Sequence, residues 1–402
     1  MVVLLYCPQA GASLYSGGQM NGERDDSIRN VEMMRGIAAM VVAYFHCRVI
    51  AWVGIRHYSD MPHVALSLDS VLAYLTIPMV WGAIGVPVFF VISGYCIHRG
   101  HAEKLARDPC YRLDAADFLV RRFVRIYPVL LCALLLTLAL DTVSLHFIPH
   151  NDRLRDLSLT TLVANLMALQ GIAAPAFGSN GALWTLALEI QFYALYPLLF
   201  ALQRRLGCNR TLASIAVLNL VSYALFERRG ITLFASYWLS WYLGAWIAQW
   251  QIAGKRAPAI RLAVPAAALL AAGCVVSFDS QYSAFQLWAL AFALFLPLVL
   301  QARVGRSLLT RGFEKVGEFS YSLYVVHLPV FVLLVSWLFH SVKPDSIFVS
   351  FGFFAIALLV AYVFHLLVER PVLRLLRKMS SQRARRMPAH SAAELLPLDG
   401  RR

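Results

Sequence analysis

Val31-Glu-Met-Met-Arg35-Gly-Ile-Ala-Ala-Met-Val-Val-Ala-Tyr-Phe-His46-Cys-Arg-Val-Ile-Ala51-Trp52 decides the fold. The run is long enough for the roughly 20 apolar residues that a hydrocarbon core requires, yet Arg35 and His46 lie within it. Eleven helical steps of about 100° return to within about 20° of the starting direction. Arg35 and His46 therefore share one face, about 16 Å apart along the axis. An ionisable group at the centre of a span costs about 2.5–3.5 kcal/mol on insertion scales. Either residue alone fits a snorkelling or hydrogen-bonded structural group; two on one face point to function.

Nine similar runs follow, at 80–97, 122–142, 183–202, 212–227, 233–251, 261–278, 284–301, 319–340 and 346–368. Segment 158–174 is less apolar, with Asn165 and Gln170, and is read as re-entrant rather than as an eleventh span. The expectation is an all-α polytopic transmembrane bundle of about ten spans. Composition agrees: of 402 residues 59% are hydrophobic and 14% charged, with a mean hydropathy of +0.63. Soluble domains run at about a quarter charged, so an ordinary cytosolic enzyme is excluded.

The net charge of +14 would suggest nucleic acid in a soluble protein. Here topology accounts for it, because cytoplasmic loops retain Lys and Arg. With ten spans, 28 basic residues fall on one side and 7 on the other, which places both termini in the cytoplasm of a plasma (inner) membrane protein and predicts no nucleic-acid partner. Residues 1–30 do not resemble a cleaved signal peptide, since Val2–Tyr6 is too short an apolar stretch and no basic residue precedes it. They are expected to form a disordered cytoplasmic tail, with a start site assigned too far upstream as an alternative. Residues 31–372 form the membrane domain and 373–402 a basic cytoplasmic tail. The seven cysteines are scattered without metal-type spacing, so neither a disulfide framework nor a metal site is expected.

Three further stretches place polar residues where lipid is expected. Arg121-Arg122-Phe-Val-Arg125 opens the third span, and Arg122 and Arg125, three apart, share a face. They are either positive-inside anchors or a forked pair suited to phosphates. Leu183-Trp-Thr185-Leu-Ala-Leu-Glu189-Ile-Gln191-Phe-Tyr193 puts Glu189 about 9 Å below the outer surface, a depth similar to that of His46. An unpartnered buried carboxylate is costly, so Glu189 requires a neighbouring His or Arg. Gln191 and Tyr193 fit packing or a polar network. Ser320-Tyr-Ser-Leu-Tyr324-Val-Val-His327-Leu-Pro329 sets His327 near mid-membrane, as a catalytic group or as a packing partner beside a proline.

These pieces, in this order, resemble the acyltransferase-3 family of integral membrane O-acyltransferases. Arg35-x10-His46 is similar to the family's first-helix signature, and Gly85-Val-Pro-Val-Phe-Phe-Val-Ile-Ser-Gly94-Tyr to its second-helix run. Arg122-Phe-Val-Arg125 resembles its Arg-x-x-Arg motif, and Leu183–Tyr193 its Leu-Trp-Ser-Leu-x-x-Glu-x-Gln-Phe-Tyr motif, with Thr185 in place of Ser. Ser320–Pro329 and Glu369-Arg370-Pro371 resemble its late segments, so the likeness spans about residues 30–372. Residues 210–300 carry no matching signature, which leaves the acceptor open. The resemblance implies transfer of an acyl group, commonly acetyl, from cytoplasmic acyl-CoA to a sugar hydroxyl of an envelope or exported polysaccharide. Some relatives carry a fused extracytoplasmic hydrolase-like domain; here any such partner is expected to be a separate protein.

The resemblance further implies His46 as the base and Glu189 as a second functional group, holding an imidazole tautomer or balancing Arg35. It implies Arg35, Arg122 and Arg125 as the coenzyme-binding residues, with Thr185, Gln191, Tyr193 and His327 in supporting positions. Acyl-CoA is then a co-substrate, with no permanently bound cofactor, and the partners are a glycan or lipid-linked glycan acceptor and membrane lipid. A transporter or flippase of a glycan or lipid-linked glycan would also use intramembrane Arg, His and Glu. Against it stands the lack of a visible internal repeat and of paired Gly/Pro-broken helices.

Overall fold

The computed structural model describes residues 18–60, 67–255 and 258–386. Fifteen α-helices form among them: α1 (Gly18–Ala51), α2 (Ile55–Ser59), α3 (Leu68–Leu75), α4 (Gly85–Arg107), α5 (Ala115–Ser144), α6 (Leu159–Leu166), α7 (Leu183–Leu206), α8 (Cys208–Leu225), α9 (Trp238–Ile252), α10 (Ala259–Val276), α11 (Gln281–Gln301), α12 (Leu308–Glu318), α13 (Ser320–Phe339), α14 (Ile347–Phe364) and α15 (Arg370–Arg386). A 3-10 segment, Ile77–Ile84, leads into α4, and a π turn, His365–Glu369, joins α14 to α15. No strand forms among the described residues. The protein is an all-α polytopic helical bundle.

Helix α13 is the central post. Almost every residue from Ser320 to Ser336 is buried, as expected of a helix that is apolar all round. Helices α1, α5 and α14 pack directly on it, and α1 also contacts α4, α11 and α12. Helix α10, mostly exposed, leans on α11 at the periphery. Proline inside α13 has a local consequence: Pro329 lacks an N–H, which frees the carbonyl of Val325 four residues earlier. The side-chain amide of Asn180 donates to that carbonyl at 2.8 Å, so the gap in the ladder is filled from a loop.

Eight helical stretches among the described residues are long and apolar enough to cross a membrane. The sequence predicts ten. The other two expected segments, 212–227 and 233–251, are the helices α8 and α9. At one end Tyr242 donates to Gln203 of α7 at 3.0 Å, and Trp246 to Asn209 at the start of α8 at 3.0 Å. At the other end the α8–α9 connection meets the connection that precedes α7, through Thr232 N–H to the Gly171 carbonyl at 2.9 Å. Helix α8 packs beside α7, and the 15-residue α9 returns along α8 and packs chiefly on α4.

Segment 158–174 does not cross. Helix α6 has eight residues, about 12 Å, and the backbone N–H of Gly178 returns to the Asp156 carbonyl at 3.1 Å. The excursion starts and finishes at one place. Asp141 of α5 then clamps the returning chain, accepting from the backbone N–H and the hydroxyl of Ser179 at 2.6 and 2.7 Å.

The N-terminal expectation needs correcting where it is described. Residues 1–17 lie outside the described residues, but 18–30 are helical and continue into the first span. The reason is docking: the Asn30 amide donates to the Val299 and Ala302 carbonyls at the end of α11, at 2.8 and 2.7 Å. Arg29 also pairs with Glu314 of α12 at 3.4 Å. The basic segment after 372 is helical through Arg386, and 387–402 lie outside the described residues.

Helices α4 and α9 touch backbone to backbone. A Cβ on Gly94 would lie 1.8 Å from the Trp241 carbonyl oxygen, and one on Gly244 1.8 Å from the Val91 carbonyl oxygen, the small-residue contact by which membrane helices approach closely. Gly94→Ala and Gly244→Ala are each expected to destabilise the protein by about 3 kcal/mol or more. Thermal unfolding in detergent checks this, and a midpoint equal to that of the wild type would show that the crossing tolerates a methyl group.

Candidate active site

Arg35 and His46 look inward along the same face of α1, and both meet α13. Arg35, 3% exposed, reaches Ser320 at 3.4 Å and holds Glu32, one turn earlier, with both carboxylate oxygens on Nη1 at 2.9 and 2.8 Å. His46 is half-buried, and its Nδ1 lies 2.9 Å from Nε2 of His327, which is fully buried. Helices α1 and α13 therefore run in the same direction through the site and define two levels. One contains Arg35 and Ser320; the other contains the histidine pair.

Glu189 hangs from α7 between these levels. It accepts from Ser93 of α4 at 2.9 Å and from the hydroxyl of Tyr193, one turn along its own helix. The Trp241 indole donates to the same Ser93 at 2.8 Å. A turn in the other direction, Thr185 bonds the hydroxyl of Tyr324 at 2.8 Å, and the Tyr324 ring lies 5.8 Å from that of His327. Thr185, Glu189 and Tyr193, four apart in sequence, form one stripe of α7. This stripe faces Tyr324 and the histidine pair at one end. At the other end Arg122 of α5 lies over the Tyr193 ring at 5.4 Å.

The remaining motif residues separate in kind. Arg125 is buried in an ion pair with Glu369 of the π turn at 2.9 Å. Glu369, fully buried, also accepts from Ser322 at 2.7 Å and bonds His365 at 2.9 Å. Arg122 is only partly buried and makes no ion pair or hydrogen bond among the described residues, lying over Phe118 and Tyr193 instead. Gln191 is turned away from this cluster: it donates to the Ala168 carbonyl at 2.8 Å and accepts from Phe234 N–H at 3.3 Å, tying two connections together. The hydrogen-bonding partner of His46 is His327 and not Glu189.

Sequence reasoning gave no role to Glu32, Ser93, Tyr324 or Glu369. Glu32 was detectable by its spacing of three from Arg35. Glu369 was detectable as a carboxylate closing an apolar run. For Trp241, one tryptophan among nine, nothing in the sequence signals its bond to Ser93.

Arg, Glu and His on facing helices, arranged in levels inside an apolar helical bundle, define a polytopic membrane protein with a cluster of polar side chains in its interior. The acyltransferase domain of the acyltransferase-3 family matches residues 28–366, and the chain belongs to that family. It is 28% identical over 314 residues to a protein of Komagataeibacter xylinus named as a membrane-bound transacylase, BcsY, covering 72% of this chain and 76% of the relative. It is 25% identical over 230 residues to Nodulation protein 10 of Rhizobium leguminosarum bv. viciae, covering 54% and 55%. No solved structure matches. The protein is thus an integral membrane acyltransferase.

Breaking a buried ion pair from one side costs about 3–5 kcal/mol, because the other charge is left without compensation. Arg125→Met is expected to lose that much stability in detergent, and adding Glu369→Gln to recover a clear part of it. Strictly additive losses in the double-mutant cycle would mean that the two residues do not depend on each other.

Proposed function

We propose that this acyltransferase moves an acyl group, acetyl in the simplest case, from cytoplasmic acyl-CoA to a sugar hydroxyl of an envelope or exported polysaccharide. It acts in the plasma (inner) membrane with both termini in the cytoplasm. The observation that carries the reading is the half-buried His46, held by a buried histidine on the face of α1 that also carries Arg35. An acid–base group positioned inside an apolar bundle suits proton abstraction from an alcohol. The family membership and the name of the transacylase relative support acyl transfer as the reaction class.

In this reading His46 takes the proton of the acceptor hydroxyl as its oxygen attacks the thioester carbonyl. The carbon–sulfur bond then breaks, and the proton passes from the imidazolium to the departing thiolate, giving an ester and free coenzyme A. Arg122, without an ion pair of its own, is the cation best able to engage the coenzyme phosphates, and Arg35 lies at the same end of α1's inward face. Arg125, held by Glu369, acts from behind as part of the wall. Glu189 keeps Tyr193 and Ser93 in place, and through Tyr193 it borders Arg122. Acyl-CoA is a co-substrate and no resident cofactor takes part.

Purified protein and acetyl-CoA test this directly through release of free thiol and transfer of label. His46→Ala is expected to lower turnover by about 10²–10⁴-fold, the ordinary contribution of a general base, with the protein still present in the membrane. Ordinary turnover in that variant would remove His46 as the base. Arg122→Ala is expected to raise the KM for acetyl-CoA by about tenfold or more while leaving kcat nearly unchanged, the signature of lost uniform binding. An unaltered KM would return Arg122 to the role of a membrane anchor.

A further inference from the structure

The bonds of His327 specify which nitrogen of His46 is free. Nδ1 of His327 lies 3.0 Å from the carbonyl oxygen of Leu323, four residues earlier on α13. A carbonyl can only accept, so this nitrogen carries the proton. The ring is fully buried and makes no ion pair among the described residues, so it is neutral, since a charged imidazole there would be uncompensated. Nε2 of His327 is then a bare acceptor. Nδ1 of His46, 2.9 Å away with the ring planes 15° apart, must be the donor. That leaves the lone pair of His46 on Nε2.

We infer that His327 is a positioning residue that holds His46 in the tautomer protonated on Nδ1, so that Nε2 faces the reaction as the accepting nitrogen. The inference rests on the reading of His46 as the base. When Nε2 takes the hydroxyl proton, His46 becomes an imidazolium whose Nδ1–H still donates to His327, which stabilises the new charge without moving. When that proton leaves for the thiolate, the pair returns to its starting state. His327 gains and loses no proton, and its bond to the Leu323 carbonyl persists throughout. Its own surroundings maintain this arrangement: the free Val325 carbonyl created by Pro329 is taken by Asn180, so the turn that carries His327 is pinned from outside the helix.

A packing residue and a tautomer-setting residue respond differently to two side chains of nearly equal shape. Gln at 327 keeps a strong acceptor at the position of Nε2, whereas Met fills the same space with only a weakly accepting thioether. With purified protein and acetyl-CoA, His327→Met is expected to lower kcat by about 10²–10³-fold, toward the loss that a wrong histidine tautomer produces in other enzymes. The KM for acetyl-CoA should stay within about twofold. His327→Gln should restore kcat to within about tenfold of the wild type. Wild-type turnover in His327→Met, or equal loss in the Gln and Met variants at wild-type abundance, would overturn the inference.

If His327→Met does not accumulate, Asn replaces it in the comparison. The shorter Asn carbonyl falls short of His46, so Asn should lose far more activity than Gln; equal activities would again overturn the inference. His46→Ala, measured in parallel, separates the two readings. Full activity there defeats the base itself, whereas an inactive His46→Ala beside a fully active His327→Met defeats only the role of His327.

Discussion

The site depends on two polar contacts between α1 and α13, separated along helices that otherwise pack through apolar side chains. Arg35 to Ser320 and His46 to His327 both lie where water is scarce, and an unmet polar group there costs several kcal/mol. Rotating α1 about its axis would break both at once. The rotation of the first span, and with it the direction in which its arginine and histidine point, is therefore set by α13.

The rest of the bundle holds that pair of helices in place. Glycine contacts bring α12 against α1 beside Arg35: a Cβ on Gly36 would lie 2.1 Å from the Phe313 carbonyl oxygen, and one on Gly317 2.2 Å from that of Glu32. From the far side α5 supplies Arg125 to Glu369, while Thr137 and Asp141 anchor the loop that carries Ser179 and Asn180. That loop reaches α13 at Val325, two residues from His327. A proline that would weaken an isolated helix thus becomes the point at which an outer connection locks onto the centre of the site.

Much of this was legible in the sequence, and the limits have physical causes. Apolar runs of membrane length announce helices because each must satisfy its own backbone in lipid. The shared face of Arg35 and His46 follows from helical periodicity, and so does the stripe of Thr185, Glu189 and Tyr193. Periodicity says nothing, however, about which helix lies opposite. The bond between His46 and His327 joins positions 281 apart, and that between Arg125 and Glu369 joins positions 244 apart. The helix over 18–30 was missed for the same reason: polar residues read as a solvated tail dock on the distant end of α11 and on Glu314 of α12.

The central claim is that the inward face of α1 is where the acyl donor and His46 meet. A structure with a non-hydrolysable acetyl-CoA analogue bound tests it most directly. The account predicts the phosphates beside Arg122 and Arg35 and the thioester-equivalent carbonyl with room for a hydroxyl between it and Nε2 of His46, each step within about 3–3.5 Å. An analogue whose acyl end lies elsewhere in the bundle, with the two histidines still bonded and untouched, would contradict it.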